Sequence, residues 1–377
     1  MVDSIHLSRW LKQFEETNLT FVIYPSRKFR SINSELKKLL MSNSKANFKF
    51  ITICNSKFLT GYLDYVYFEI LSKLIPKIHR AKKMVRLLEK EKFDYIHSVE
   101  IQSAGYLLND ISEKVIGKSK IIVTNWGSDI YYFRKFPEHS KQITRVLSIA
   151  HFYSAECKRD YDLAREFGFK GIELPCIPNA GGFKLEQYRN KISPTSKRNQ
   201  ICIKGYGGIF GRADIPLNLI IPIALEFPNI RFFIYSVTKD ILPIISNFPV
   251  ALKSRIKVST IRDRLSNDQI LDEFLKSRIY LGSSESDGIS TSFLQALITG
   301  TFPIQTNTSC ASEWISRGAN ASIIPLDSKL MYNKIRGALL NDQMVDNASE
   351  INFKVARKYL DYEVVKKKAF KFYGIAN

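Results

Sequence analysis

Six short apolar runs in the first half of the chain, each followed by a stretch long enough for a helix, leave few folds open. They are Phe21–Tyr24, Phe48–Cys54, Tyr95–Val99, Lys120–Trp126, His151–Ala155 and Ile172–Ile177. A second series follows: Ile201–Tyr206, Arg231–Ser236, Lys257–Thr260, Arg278–Gly282, Phe302–Gln305 and Ser322–Pro325. Strands separated by helix-length segments make βα units and a parallel sheet, with helices over both faces. Two such series predict an α/β protein with two doubly wound domains facing each other, and 377 residues suffice for two cores. The polar, proline-containing stretch 186–200 (EQYRNKISPTSKRNQ) is the expected linker between a first domain, 1–185, and a second, 201–350.

Several function classes lose support at once. No apolar run approaches the roughly 18 residues of a membrane-spanning helix. The start, MVDSIHLSRWLKQFEE, is amphipathic with early acids, unlike a secretory leader. The five cysteines, at 54, 157, 176, 202 and 310, form no CxxC pair and stand at no metal-ligand spacing from a histidine. That usage predicts reduced thiols in a cytoplasmic protein. A net charge of +20 suits an acidic glycan, anionic lipid headgroups or nucleic acid, or is simply a solvated lysine-rich surface. Aromatic–basic interleaving and helix-turn-helix signals are missing, so a nucleic-acid partner is not expected. One basic amphipathic stretch, 70–92, carries Lys73, Lys77, Arg80, Lys82, Lys83 and Arg86 and is broken at Pro76. It fits contact with an anionic membrane and fits a solvated helix face equally well.

Ligands of doubly wound sheets bind beyond the carboxyl ends of the strands, so the informative residues lie there. After Gly282 the chain reads SSESDGISTSFLQALITG, a strand end, a small-residue turn and an apolar helix closed by Gly300. Ser290 or Thr291 is placed to cap that helix. N–H groups across Gly288, Ile289, Ser290, Thr291 and Ser292, with the helix dipole, make an anion site; an ordinary βα junction accounts for the same residues. Asp287 and Gln295, eight positions apart, are placed to look toward one ligand. The second domain opens with ICIKGYGGIFGRA, where Gly205, Gly207, Gly208 and Gly211 lie between Lys204 and Arg212. A glycine loop with two cations suits a diphosphate, although no GK(S/T) follows; a solvent-exposed Arg212 is the plainer reading. In the first domain, Asn125-Trp126-Gly127-Ser128-Asp129 follows the fourth run, and His97, Ser98 and Glu100 follow the third. Ser266 to Gln269 reads as a capping box.

The run SDGISTSFLQALITGTFPIQTN, with Glu313 after it, resembles the C-terminal signature of group-1 (family 4) glycosyltransferases of the GT-B type. That signature is an acid, seven residues, a second acid, then A-x-x-x-G and a strand. Asp287 takes the first place; Gln295 stands where the family has Glu. Asn125–Asp129 resembles the family's (H/W)-G-S-D turn, with Trp126 where many members have His, so no histidine base is assigned. Leu174–Phe183 (LPCIPNAGGF) resembles its I-P-N-G corner, an architectural turn.

The resemblance implies two Rossmann-like domains, with the last segment, 351–377, packing back on the first. It implies transfer of a sugar from a nucleotide-diphosphate sugar to a hydroxyl, with retention of configuration. Asp287 would hold sugar hydroxyls and Gln295 the ribose, whose diol an amide still hydrogen-bonds. Lys204 and Arg212, the latter the better match, would take the phosphates beside the N–H groups of 290–292. Asp129 would orient acceptor or sugar, or hold its turn; Thr260 to Arg264 occupies the base-reading region. Asp129, Arg212 and Asp287 are thus the expected catalytic set. Neither a metal nor a cofactor beyond the donor is expected, since cations and a helix dipole take that part. The acceptor class suggested by the charge is a saccharide or lipid-linked glycan at the inner face of the membrane. A nucleotide-sugar epimerase of the same fold would need an acid–base set that these residues support poorly.

Overall fold

The computed structural model describes residues 2–27, 29, 31–51, 76–111, 113–263 and 265–375. It divides into two compact units, Met1–Gly181 with Val365–Asn377, and Gly182–Val364. All twelve apolar runs form strands: β1 Thr20–Ile23, β2 Asn47–Phe50, β3 Tyr95–Ser98, β4 Lys120–Thr124, β5 Phe152–Ser154 and β6 Ile172–Glu173 in the first unit. In the second they are β7 Gln200–Lys204, β8 Arg231–Val237, β9 Ile256–Thr260, β10 Ser277–Gly282, β11 Phe302–Thr306 and β12 Ser322–Ile324. Pairing is parallel in both units. The run expected to reach Cys54 continues, like residues 70–75 of the basic stretch, outside the described residues.

In the first unit β1 pairs with β2, and β3-β4-β5-β6 form a second sheet. The alternation of β4 sets its two faces. Ile121 and Val123 join a core with Ile143, Val146 and Leu147 of the helix Pro137–Ile149. Ile122, pointing the other way, meets Trp10, Phe14 and the returning tail residues Val365, Ala369 and Phe372. A buried polar chain ties that tail to the sheet. Trp10 Nε1 can only donate, and it donates to Tyr373 Oη at 3.2 Å. The tyrosine hydrogen is thereby left for His97 Nδ1, 2.7 Å away. His97 Nε2–H then faces Thr124 Oγ1 at 2.7 Å, and Thr124 faces Ser154 Oγ at 2.9 Å. Burial lowers the pKa of His97 to about 3, so the ring stays neutral and both nitrogens are spent inside the fold. A place for His97 beside an acceptor is therefore not supported; it is a tie between β3, β4 and the tail.

The second unit has the strand order β12-β11-β10-β7-β8-β9. The chain builds β7, β8 and β9 outward in one direction, then returns to lay β10, β11 and β12 in the other. Right-handed crossovers put the two series of helices on opposite faces, so the order reverses between β7 and β10. Ile201 and Ile203 of β7 pack on one face with Leu217, Ile223 and Met331. Cys202 packs on the other with Phe293 and Leu297 of the helix Thr291–Thr299.

Two boundaries differ from expectation. The units divide at 181/182 and 364/365, not at 185 and 350. The helix Asp342–Tyr359 stays with the second unit because Val345, Ala348, Val355 and Ala356 are core residues there. The stretch 186–200 is no free linker. Buried Thr195 donates to Gly300 O at 2.6 Å, and buried Arg198 donates to the carbonyls of Ser277, Thr299 and Ser193. Its polar residues satisfy backbone carbonyls rather than solvent.

Tyr373→Phe should cost about 1–3 kcal/mol, since Trp10 N–H and His97 Nδ1 would be left buried without their partner. Urea unfolding measures it; an unchanged midpoint would show that the chain contributes nothing.

Candidate functional site

The switch point of the second sheet lies between the ends of β7 and β10, and two loops leave from it. The loop after β7 carries Gly205 to Arg212; the loop after β10 carries Ser283 to Ser290. They are stitched together. Gly211 and Ser284 form an antiparallel bridge, Ser283 Oγ donates to Arg212 O at 2.6 Å, and Glu285 N donates to Phe210 O at 2.8 Å. Gly211 has to be glycine, because a Cβ there would collide with the carbonyl of Tyr206.

The second loop opens the helix Thr291–Thr299, which is closed by left-handed Gly300. Ser290 holds the N-cap position with extended backbone, but its side chain makes no capping bond. Its hydroxyl turns instead to Tyr280 Oη, 3.3 Å away. The first N–H groups of a helix are its unsatisfied donors, so leaving them without a side-chain cap keeps this terminus open to an anion. Lys204 ends β7. It shares a sheet face with Cys202, by alternation, and with its register partner Tyr235, the face on which this helix packs. Its ammonium lies 5.6 Å from the Tyr206 ring, and it forms no ion pair among the described residues.

Other expected donors are already committed. Gly205 N bonds Tyr235 O, Gly207 N bonds Thr238 Oγ1 at 2.9 Å, and Gly208 N bonds Asp240 Oδ2 at 2.9 Å. The Thr238 hydroxyl and the Gly208 N–H hold Asp240 below the usual carboxylate range. The glycine loop therefore serves a carboxylate of the chain itself, which corrects the expectation that Gly205 and its neighbours present free N–H groups. Arg212 is committed too. Its Nε and Nη2 each lie 3.0 Å from the Asp214 carboxylate, and Nη1 lies 3.0 Å from Glu285 Oε1. Asp214 first, then Glu285, raise its pKa further. Both acids were missed in the sequence; a local signal existed only for Asp214, two residues from Arg212, since Glu285 comes from the other loop.

Half-buried Asp287 accepts from the N–H of Gly288 at 2.9 Å, and buried Ile289 packs beneath the turn. Buried Gln295 donates through Nε2 to Asn267 Oδ1 at 3.0 Å. Asn267 begins the helix Asn267–Lys276, where the expected capping box of Ser266 and Gln269 is formed. Thr260 Oγ1 accepts from the N–H groups of Arg262 and Asp263; Arg264 lies outside the described residues. Glu313 lies in the short helix Ser312–Ser316.

In the first unit the turn after β4 bends at Gly127, whose φ of 93° excludes a side chain without strain. Asp129 is buried and its carboxylate accepts from Ile101 N at 2.9 Å. Glu100 accepts from the N–H groups of Ser103 and Ala104 at 2.8 and 2.7 Å, capping a π-helical turn, Ile101–Gly105. Trp126 donates to Val99 O, and Asn179 Nδ2 to Asn125 O at 2.8 Å. Burial, then the nearby charge of Glu100, raises the pKa of Asp129 to about 7. Of the two roles open to Asp129, this geometry carries the holding of the turn.

The fold is shared with solved proteins. HepE of Anabaena, in complex with UDP and glucose, superposes with a TM-score of 0.70 at 14% identity, over 99% of this chain and 96% of that one. The α,α-trehalose 6-phosphate synthase of Burkholderia multivorans gives 0.67 at 9% identity, over 99% and 95%. A glycosyltransferase of Rickettsia africae gives 0.60 at 13%, over 98% and 92%. Identities this low establish the GT-B fold and no more. No curated protein matches the sequence. Residues 1–155 match the family model described as glycosyl transferase 4-like. The chain has the GT-B fold, and its N-terminal segment is similar to glycosyltransferases. The matched segment contains the Asn125–Asp129 turn, the tie His97 and the helix Pro76–Lys90.

Asp129 keeps its proton to about pH 7 in the folded protein and releases it near 3.8 when unfolded. Between those values the folded state binds the extra proton, so this group makes stability fall as pH rises from about 4 to about 7. Asp129→Asn cannot ionise. Relative to the parent it should therefore gain stability at pH 8 compared with pH 4, read from urea midpoints at both. An equal difference at the two pH values would show that Asp129 titrates normally.

Proposed function

We propose that this protein is a glycosyltransferase that takes its sugar from a uridine-diphosphate sugar held at the β7/β10 switch point. The observation that carries this reading is the uncapped start of the helix Thr291–Thr299 with Lys204, in no ion pair among the described residues, on the same face of the sheet. A diphosphate there would gain N–H donors, a helix dipole and a cation. Support for uridine comes from HepE, solved with UDP, with UDP and glucose, and with UDP-glucose. Asp287 holds hydroxyls of the transferred sugar and Gln295 the ribose.

Transfer proceeds with retention, by front-side displacement. The bond from the anomeric carbon to the phosphate oxygen breaks, and the acceptor oxygen forms its bond on the same face. The acceptor proton passes to the departing phosphate oxygen. Charge growing on the diphosphate is met by Lys204, by the N–H groups at 290–292 and by Arg212 once its contacts rearrange. Neither a metal nor a resident cofactor enters this scheme. The turn residue Asp129 acts by shaping the acceptor side.

The acceptor is a hydroxyl of a saccharide or lipid-linked glycan. Contact with an anionic membrane is assigned to the helix Pro76–Lys90, on which Lys82, Arg86 and Lys90 are exposed. Among the described residues no helix is long and apolar enough to cross a membrane.

Thermal shift with UDP-, GDP-, ADP- and CMP-sugars in EDTA tests the donor. Uridine nucleotides at about 100 times their dissociation constant should add roughly 2.7 kcal/mol of stability. Lys204→Ala should weaken UDP about tenfold by calorimetry, equivalent to about 1.4 kcal/mol. A parent protein indifferent to every nucleotide, or a Lys204→Ala variant that binds UDP as the parent does, would contradict the site.

A further inference from the structure

The charges at the switch point do not suit a diphosphate as they stand. Two cations, Lys204 and Arg212, share the two loops and the adjoining turns with four carboxylates: Asp214, Asp240, Glu285 and Asp287. A donor adds further negative charge to this mouth, so at least one carboxylate contact has to give way when it binds. The contacts of Arg212 differ in how readily they break. Asp214, two residues on, opens the helix Asp214–Asn218 that follows the same loop, and it takes two nitrogens of the guanidinium. It moves with Arg212. Glu285 belongs to the other loop, takes Nη1 alone, and has a side chain 45% exposed, so its released carboxylate passes straight into water. The backbone stitching between the loops does not depend on it, since the Gly211–Ser284 bridge and the Ser283 bond to Arg212 O remain.

We infer that Glu285 is an internal stand-in for the donor's phosphate, occupying Arg212 Nη1 in the empty enzyme and exchanged for a phosphate oxygen when the donor arrives. This rests on the donor reading above and adds to it a residue that sets donor affinity. A carboxylate and a phosphate offer the same guanidinium similar acceptor geometry, which makes the exchange one of like for like. The empty site keeps Arg212 neutralised and aimed. The donor in turn binds less tightly than Arg212 would otherwise allow, by whatever the Glu285 contact is worth. Surface ion pairs of this kind are weak, so the exchange lies within reach of a diphosphate.

The test is calorimetric titration of the full chain and of Glu285→Gln with UDP and with uridine. Glutamine keeps an acceptor for the Arg212 N–H but removes the charge. The variant is expected to bind UDP about three- to tenfold more tightly while its affinity for uridine, which carries no phosphate, stays unchanged. An unaltered or weakened UDP affinity would overturn the inference, as would an equal tightening for uridine, because the effect would then not act through the phosphate. Lys204→Ala separates the two levels of the account. If UDP binds the parent and is weakened by Lys204→Ala but not tightened by Glu285→Gln, the donor site stands and the role of Glu285 falls. If UDP binds neither parent nor variant, both fall together.

Discussion

Between the carboxyl ends of β7 and β10 the sheet reverses its order, and everything that distinguishes this surface follows from that reversal. Crossovers on the two sides carry their helices to opposite faces, which opens a crevice at the strand ends. What fills the rim is backbone. Glycines at 205, 207 and 211 let the first loop lie against Val237, Asp240 and the carbonyl of Tyr206. The second loop delivers a helix start without a side-chain cap. The sheet thereby supplies a place where an anion meets N–H groups, and the loops decide how many charges compete for it.

The first unit handles its polar groups differently, by spending them inside the fold. His97, Trp10, Trp126, Glu100 and Asp129 are engaged with backbone or with one another. Trp10, Tyr373, His97, Thr124 and Ser154 form one directed chain whose polarity follows from the indole, which can only donate. Asp129 and Glu100 occupy the N–H groups at the start of a π-helical turn. π-Turns often mark functional sites, and here the turn sits where two strand ends and a glycine corner meet. These groups fix the shape of the strand ends.

The strands were legible in the sequence because burial on both faces writes itself as short continuous apolar runs; β4 and β10 are examples. The capping box at Ser266 was equally legible, being a local pattern. What escaped depends on partners far apart in the chain. Nothing in GYGGIFGR says that Thr238 and Asp240, from the loop after β8, will take its N–H groups. Nothing near Arg212 announces Glu285, which arrives only when β10 pairs with β7. Polar composition misread 186–200 as a linker for the same reason: Thr195 and Arg198 answer carbonyls on β10 and at the end of the helix Thr291–Thr299. The resemblance at Asp287 and Gln295 located the loop and helix correctly in the fold, whereas the partner of Gln295, Asn267, could be found only in three dimensions.

The central claim is that the donor's diphosphate sits on the start of the helix Thr291–Thr299 at the β7/β10 switch point. Amide hydrogen exchange, followed with and without saturating UDP, tests it most directly. The account predicts slowed exchange at 290–293 and in the loop 205–212, with the amides of β4 and its Asn125–Asp129 turn unchanged. Protection confined to that first-unit turn, or UDP binding with no protection at 290–293, would contradict it.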